Sequence, residues 1–288
     1  MSAKKSQHIY GVVAVLLSAF MFYFSTVFVK FAQSTGEISP GFFLFARFIL
    51  GLVMISVFMF VQRKRPTPRN YFALTCRALA NVIAFHFFLK AVQETTVAHA
   101  NILNMTYPIF MPFLSFFFLP KQRDYYSYLL SFVAFIGIVL VLDPSAGIID
   151  SSHLWGLGSG FMASFAMLFL TIARRDNDTE TVLFVMFLVG AISSVILFYD
   201  QFFMPTVVQG QFIFWASLTG ILGQFAVTYG YRFVTAVEGG VLGSSRILIA
   251  AMLGPFITGE SALGLLGWCG ALVIFTVNVL ISRRKEVE

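Results

Sequence analysis

The chain has 288 residues, 58% of them hydrophobic and only 11% charged, with a net charge of +6 and a mean hydropathy of +0.85. Soluble domains carry roughly 25% charged residues, so these values exclude a soluble enzyme as a class. They also exclude a basic nucleic-acid-binding domain, because the lysines and arginines lie in short gaps and tails between apolar segments.

Ten apolar segments follow one another, at 9–33, 40–62, 71–92, 96–119, 125–142, 154–173, 180–200, 211–233, 236–258 and 261–282. A helix rises about 1.5 Å per residue, so about 20 residues cross ~30 Å of hydrocarbon. The segments have that length and use nearly the whole chain. The first segment has Lys4 and Lys5 before it, but at Ile9–Val29 it outruns the roughly 7–15 residues of a signal core. It is expected to stay as a span. Basic residues fall before the first segment and after the second (Arg63, Lys64, Arg65, Arg69), fourth (Lys121, Arg123), sixth (Arg174, Arg175) and tenth (Arg283, Arg284, Lys285). Loops 34–39, 93–95, 143–153, 201–210 and 259–261 have no Lys or Arg. Cytoplasmic loops retain cations, so both termini are expected in the cytoplasm. Cys76 and Cys269 lie in segments three and ten without CxxC spacing, and no disulfide or metal framework is expected.

Segments three to five align with eight to ten at an offset of 139, which sets Lys121 on Glu260; Gly11 falls on Gly156 at an offset of 145. Identity along these stretches is near chance, but the pattern is five spans, a loop without Lys or Arg, and five more. Five is odd, so the second half starts on the opposite side of the membrane. The expectation is an all-α membrane protein of ten transmembrane helices, arranged as two inverted five-helix repeats (1–145 and 146–288) around a central cavity. Inverted repeats around a midplane site are the architecture of many secondary transporters.

Charged groups inside a bilayer are costly and need a reason. Arg246 lies near the middle of segment nine, too deep to reach the headgroups, whereas Arg47 and Arg77 lie six or seven residues inside segments two and three and are placed to snorkel. No Asp or Glu lies deep in any span: Glu238 and Glu260 are near the ends of segment nine and Glu94 is in a loop. Arg246 therefore calls for carbonyl oxygens, water or a bound anion as counter-charge. At helical spacing Gly239, Gly243, Arg246, Ala250 and Gly254 share a face, and the offset maps them onto Ala100, Asn104, Tyr107, Met111 and Ser115. Pro108 and Pro112 in segment four and Pro255 in segment nine free backbone carbonyls, as suits a cavity wall. Gln224 and Tyr229 in segment eight and Asn81 in segment three offer polar groups to a ligand or to a neighbouring helix, and His86 is a titratable group near a helix end. The sequence has no HExxH, GxSxG, Walker A sequence or paired aspartates.

Several runs resemble the drug/metabolite transporter superfamily, specifically its ten-helix EamA-like carriers. They are Phe43–Phe48 ("FLFARF") opening segment two, Arg77 early in segment three, the short junction before Pro108, "GPFITGES" (Gly254–Ser261) with Gly259–Glu260 as a turn, and "GALVIF" (Gly270–Phe275). The first half departs from the pattern with Pro120–Lys121 where a glycine–glutamate turn is usual. The resemblance implies a ten-helix basket whose cavity is lined chiefly by helices three, four, eight and nine and the inner ends of one, two, six and seven. It also implies alternating access and no nucleotide hydrolysis, and no cofactor is expected. Members move amino acids, their derivatives, other metabolites or toxic compounds. "ARF", Arg77 and the arginine in segment nine are similar to the S-adenosylmethionine uptake branch. The expected function is secondary transport of a small amphipathic metabolite, an amino acid or derivative, across the bacterial inner membrane. Arg246 would neutralise its anionic group, Asn104, Tyr107 and Gln224 would orient it, and Tyr229, Asn81, His86 and Gly243 complete the candidate set. The rival readings are an exporter of drugs or toxic metabolites, a membrane-embedded enzyme and a pore subunit. The expected partners are the substrate and the lipid bilayer, with no nucleic acid, and a monomer suffices.

Overall fold

A computed structural model describes residues 2–36, 38–118, 125–142, 151–234 and 236–284. Pro120–Lys121, the loop at 143–150 and Lys285 lie outside the described residues, as do the side chains of Glu238 and Ser115. Among the described residues the chain forms eleven α-helices and no strand: α1 (Ser2–Ser34), α2 (Pro40–Val61), α3 (Tyr71–Glu94), α4 (Val97–Asn104), α5 (Tyr107–Phe118), α6 (Tyr125–Leu142), α7 (Ser152–Ala173), α8 (Thr179–Phe198), α9 (Val207–Gly230), α10 (Ala236–Thr258) and α11 (Leu265–Arg284). Six of these, α1, α2, α3, α7, α8 and α9, are long and apolar enough to cross a membrane, and shorter apolar stretches occupy 132–141, 242–258 and 265–277. Large apolar side chains such as Val53, Val57, Ile192 and Ile196 are exposed on the outside. Patches of this kind are rare on soluble monomers and need a covering. The protein is a multi-pass membrane protein, and lipid covers them.

Helix starts follow local chemistry. Ser39, Thr96, Asp178 and Thr206 each accept a backbone N–H of the first turn of α2, α4, α8 and α9. Segment four is two helices rather than one. Proline 108 has no N–H to return to the carbonyl of Asn104, and the chain breaks just upstream, at Met105–Thr106. There Thr106 N and Oγ1 both bond back to Leu103 O, at 3.2 and 2.6 Å. α10 runs through Pro255 and ends at Gly259, whose φ of +66° only glycine adopts without strain.

The packing partners exchange when the halves of the chain are exchanged. α3 lies along α7 and α1 along α9; α1 meets α10, and α7 meets α4 and α5; α2 pairs with α8, and α6 with α11. The α2–α8 contact is reciprocal in detail. The Phe48 ring occupies the space where a Cβ on Gly190 would be, and the Phe187 ring does the same at Gly51. The rings stand 6.4 Å apart at 62°. Both pairs, 48/187 and 51/190, are related by the offset of 139. α6 and α11 cross at Gly137 and Gly270, where a Cβ on Gly137 would lie 3.0 Å from Gly270 O. Small residues let helices in lipid come this close, and close van der Waals packing holds them there.

Two polar clusters lie at opposite ends of the bundle, since α2 separates the loops that carry them. At the end of α1, Lys30 pairs with Glu260 at 3.1 Å and donates to Thr95 O; Glu260 accepts the Val97 N–H, the first of α4, at 2.7 Å. A carboxylate at a helix N-terminus is favourable, which gives the Gly259–Glu260 turn a structural task. At the far end of α2, Lys64 pairs with Glu180 at 2.5 Å. Asn177 there accepts the Arg69 N–H and donates to Arg69 O.

Candidate functional site

A cavity of about 110 Å³ lies inside the bundle. Its lining comes from α1 (Ser18, Phe22, Ser25), α2 (Arg47), α3 (Arg77, Asn81, Phe85, Phe88), the break between α4 and α5 (Asn104, Met105, Tyr107), α7 (Ala163, Ala166, Met167), α9 (Gln224) and α10 (Gly243, Arg246), with a few further small residues. α8 contributes none of it. Asn104 and Gly243, and likewise Tyr107 and Arg246, are counterparts under the offset of 139, so the matched face read from sequence lands on four lining positions.

Arg246 is 5% exposed and lies midway along α10. Its Nη2 donates to Asn104 Oδ1, and its guanidinium sits 5.6 Å from the centroids of both Phe22 and Phe88. The Asn104 amide is held in that orientation by a relay: its Nδ2 donates to Ser159 Oγ at 2.6 Å, and Ser159 donates to Ala84 O at 2.9 Å. With the amide N–H₂ engaged there, the amide oxygen faces Arg246. α7 comes this near because Gly156 and Gly160 lie against the break, where a Cβ on Gly160 would stand 2.7 Å from Leu103 O. The glycines of α10 have a similar task. Gly239 leaves room for the Tyr231 ring, and a Cβ on Gly243 would lie 3.0 Å from the Tyr107 hydroxyl. The hydroxyls of Tyr107 and Tyr231 are hydrogen-bonded to each other.

The other two arginines do not snorkel. Arg47 is 9% exposed, donates to Gly220 O at 3.1 Å, and stacks over Phe85 at 4.2 Å and Phe22 at 5.8 Å. Arg77, 2% exposed, donates to Asn81 Oδ1 at 3.4 Å. Their burial is the correction to the expectation that both reach the headgroups. Gly220 O and the Phe85 and Phe22 rings for Arg47, and Asn81 for Arg77, are partners within the bundle that hold each guanidinium away from the headgroups. Arg47 and Arg246 both face the Phe22 ring, 5.8 and 5.6 Å from its centroid, so two like charges share one part of the cavity and repel. None of the described lining residues is Asp or Glu.

Six of the eight residues singled out from sequence line this cavity: Arg246, Asn104, Tyr107, Gln224, Asn81 and Gly243. Two do not. Tyr229 is 43% exposed and packs edge-on against Phe233 at 5.2 Å, because its position on α9 turns outward while Gln224 turns in. His86 stacks on Phe198 at 4.5 Å and 11°, in the α3–α8 contact. It is one residue out of phase with Phe85 and Phe88, both of which face the cavity. Besides Arg47 and Arg77, sequence reading missed Ser18 and Ser25. A small polar face on α1 at seven-residue spacing was the available signal.

The model of the EamA-like transporter family matches residues 9–143 and again 150–283. The chain belongs to this family, part of the drug/metabolite transporter superfamily, and its activity is transport. An uncharacterized transporter of Helicobacter pylori is 26% identical over 286 residues, 95% of each chain. An S-adenosylmethionine uptake transporter of Rickettsia bellii is 22% identical over 253 residues, covering 85% of this chain and 84% of that protein. A solved crystal structure superimposes with a TM-score of 0.64 at 18% identity, covering 95% of this chain and 99% of the other, and so shares the fold.

Proposed function

We propose that the protein is a secondary carrier of the inner membrane that moves a small carboxylate-bearing metabolite, an amino acid or derivative, by alternating access between two inverted five-helix halves with both termini cytoplasmic. The observation that carries this reading is Arg246, a buried mid-helix guanidinium whose partner in the cavity is one neutral amide oxygen. A buried cation without a counter-charge is costly, and a substrate carboxylate supplies the missing charge. Asn104 presets the guanidinium, Tyr107 and Asn81 offer hydroxyl and amide groups beside it, Gln224 reaches in from α9, and Gly243 keeps the path open. Matching of the family model to each half separately supports the two-repeat arrangement, as does the exchange of packing partners between halves. Lys64, Arg69 and Arg174 gathered at one end support calling that end cytoplasmic.

Arg246→Ala is expected to abolish uptake of labelled substrate in proteoliposomes while the purified protein keeps its elution profile and helical circular dichroism. Full uptake by that folded variant removes the assignment. Counterflow separates a carrier from a pore, since only a carrier exchanges one bound molecule for another.

A further inference from the structure

Three guanidiniums share the cavity, and they are not equivalent. Arg47 donates to Gly220 O and lies 4.2 Å over the Phe85 ring, and none of its nitrogens is among the buried donors left without an acceptor. Arg77 and Arg246 each keep a buried Nε–H with no protein acceptor. Both arginines line the same cavity as Tyr107, whose hydroxyl interacts electrostatically with each of them. An unmet donor on a buried cation is among the costliest groups a structure can hold, and here there are two in one cavity without a described carboxylate.

Resting on the carboxylate reading above, the geometry points to a substrate with two anionic groups, one at Arg246 and the other at Arg77. A dicarboxylate meets this requirement, as does a dicarboxylic amino acid or a carboxylate that also carries a phosphate. The bidentate fork of each guanidinium suits a carboxylate or phosphate, and Arg47 serves as wall. Two further observations favour an anionic rather than a cationic guest. The Phe22, Phe85 and Phe88 rings already lie beside the chain's own guanidiniums, so a sulfonium placed against them would meet like charge. A cavity of about 110 Å³ is on the scale of the roughly 150 Å³ that encloses one benzene, whereas a nucleoside-sized guest requires the walls to part.

Purified protein in detergent is titrated with succinate and with succinamate, which differ by one carboxylate, with 3-phosphoglycerate and glycerate, which differ by one phosphate, and with S-adenosylmethionine. Thermal stabilisation is the readout, because a ligand that binds only the folded state raises apparent stability. Succinate or 3-phosphoglycerate should bind about tenfold more tightly than its partner with a single anionic group; which of the two binds distinguishes carboxylate from phosphate at the second position. Arg77→Gln should erase the preference for the dianion, and Arg77→Lys should restore part of it. A merely structural role for Arg77 would lower stability without touching that preference. Binding of succinamate or S-adenosylmethionine at least as tight as that of the dianions, lost in Arg246→Gln, overturns the two-anion inference and leaves the carboxylate reading standing. No stabilisation by any anion, in a protein that still transports when Arg246 is replaced, overturns both.

Discussion

At the α2–α8 crossing the two halves of the chain meet as equals, each giving a phenylalanine ring and the glycine that receives the other's ring. In the cavity they meet as unequals. Tyr107 of the first half faces Arg246 of the second, Asn104 is opposed by Gly243, and the counterparts of Arg47 and Arg77 are Met186 and Ala216. The contrast separates two demands. Helices in lipid are held by close van der Waals fit, which is satisfied equally well by the same pair of residues used twice. A ligand has one charge distribution, and a symmetrical cavity would present the same group from both sides.

The largest effects should therefore fall on the symmetrical contact and be matched. Phe48→Ala and Phe187→Ala each leave a ring-sized void and should each cost about 3 kcal/mol or more, measured by reversible unfolding in mixed micelles. If one variant is tolerated and the other is not, the two halves do not share the load. Next comes the floor of the cavity. Gly160→Ala puts a methyl group against Leu103 O and the Thr106 hydroxyl, where the backbone cannot yield cheaply, and should cost about 1–3 kcal/mol together with most of the transport. Ser159→Ala is milder, about 1 kcal/mol. It frees the Asn104 amide to turn and should lower transport several-fold while the α2–α8 contact is unaffected. Uptake unchanged in Ser159→Ala would show that the relay does not orient Arg246.

How much of this was legible follows from the same contrast. Apolar length and the spacing of lysines and arginines outlined the helices, because crossing lipid imposes a length that composition must honour. The matched face at 104/243 and 107/246 was legible for the same reason: a helical period repeated at a fixed offset is a linear signal. The inward turn of Arg47 and Arg77 was not. A residue two turns inside a helix reaches either the headgroups or a cavity, and only the neighbours choose; here Phe85, Gly220 and Asn81 do so from other helices. Tyr229 and His86 are the opposite case, polar groups on helices that line the cavity but turned outside it. The break in α4–α5 was half legible. Pro108 announced it, but its place at Met105–Thr106 depends on how closely Gly160 of α7 approaches.

The smallest effect should come from the ion pair at the end of the bundle. The Glu180 carboxylate, hydrogen-bonded to Lys64 at 2.5 Å, holds that ammonium above its ordinary value of 10.5. A cation whose pKa is raised by folding adds stability that is fully present below the ordinary value and is lost only as pH rises through the folded one. Between pH 7 and 9 the pair should therefore contribute a constant amount. That amount is small, because Lys64 is open to water and exposed pairs are screened. Lys64→Met should leave the melting temperature unchanged within error across that range, at low and high salt alike. Nearby, Asn177 joins loop 62–70 to the α7–α8 turn through backbone bonds in both directions, and water competes less for these partly buried groups. A marked, salt-sensitive loss in Lys64→Met would mean that the charge pair, rather than the Asn177 clasp, ties this end together.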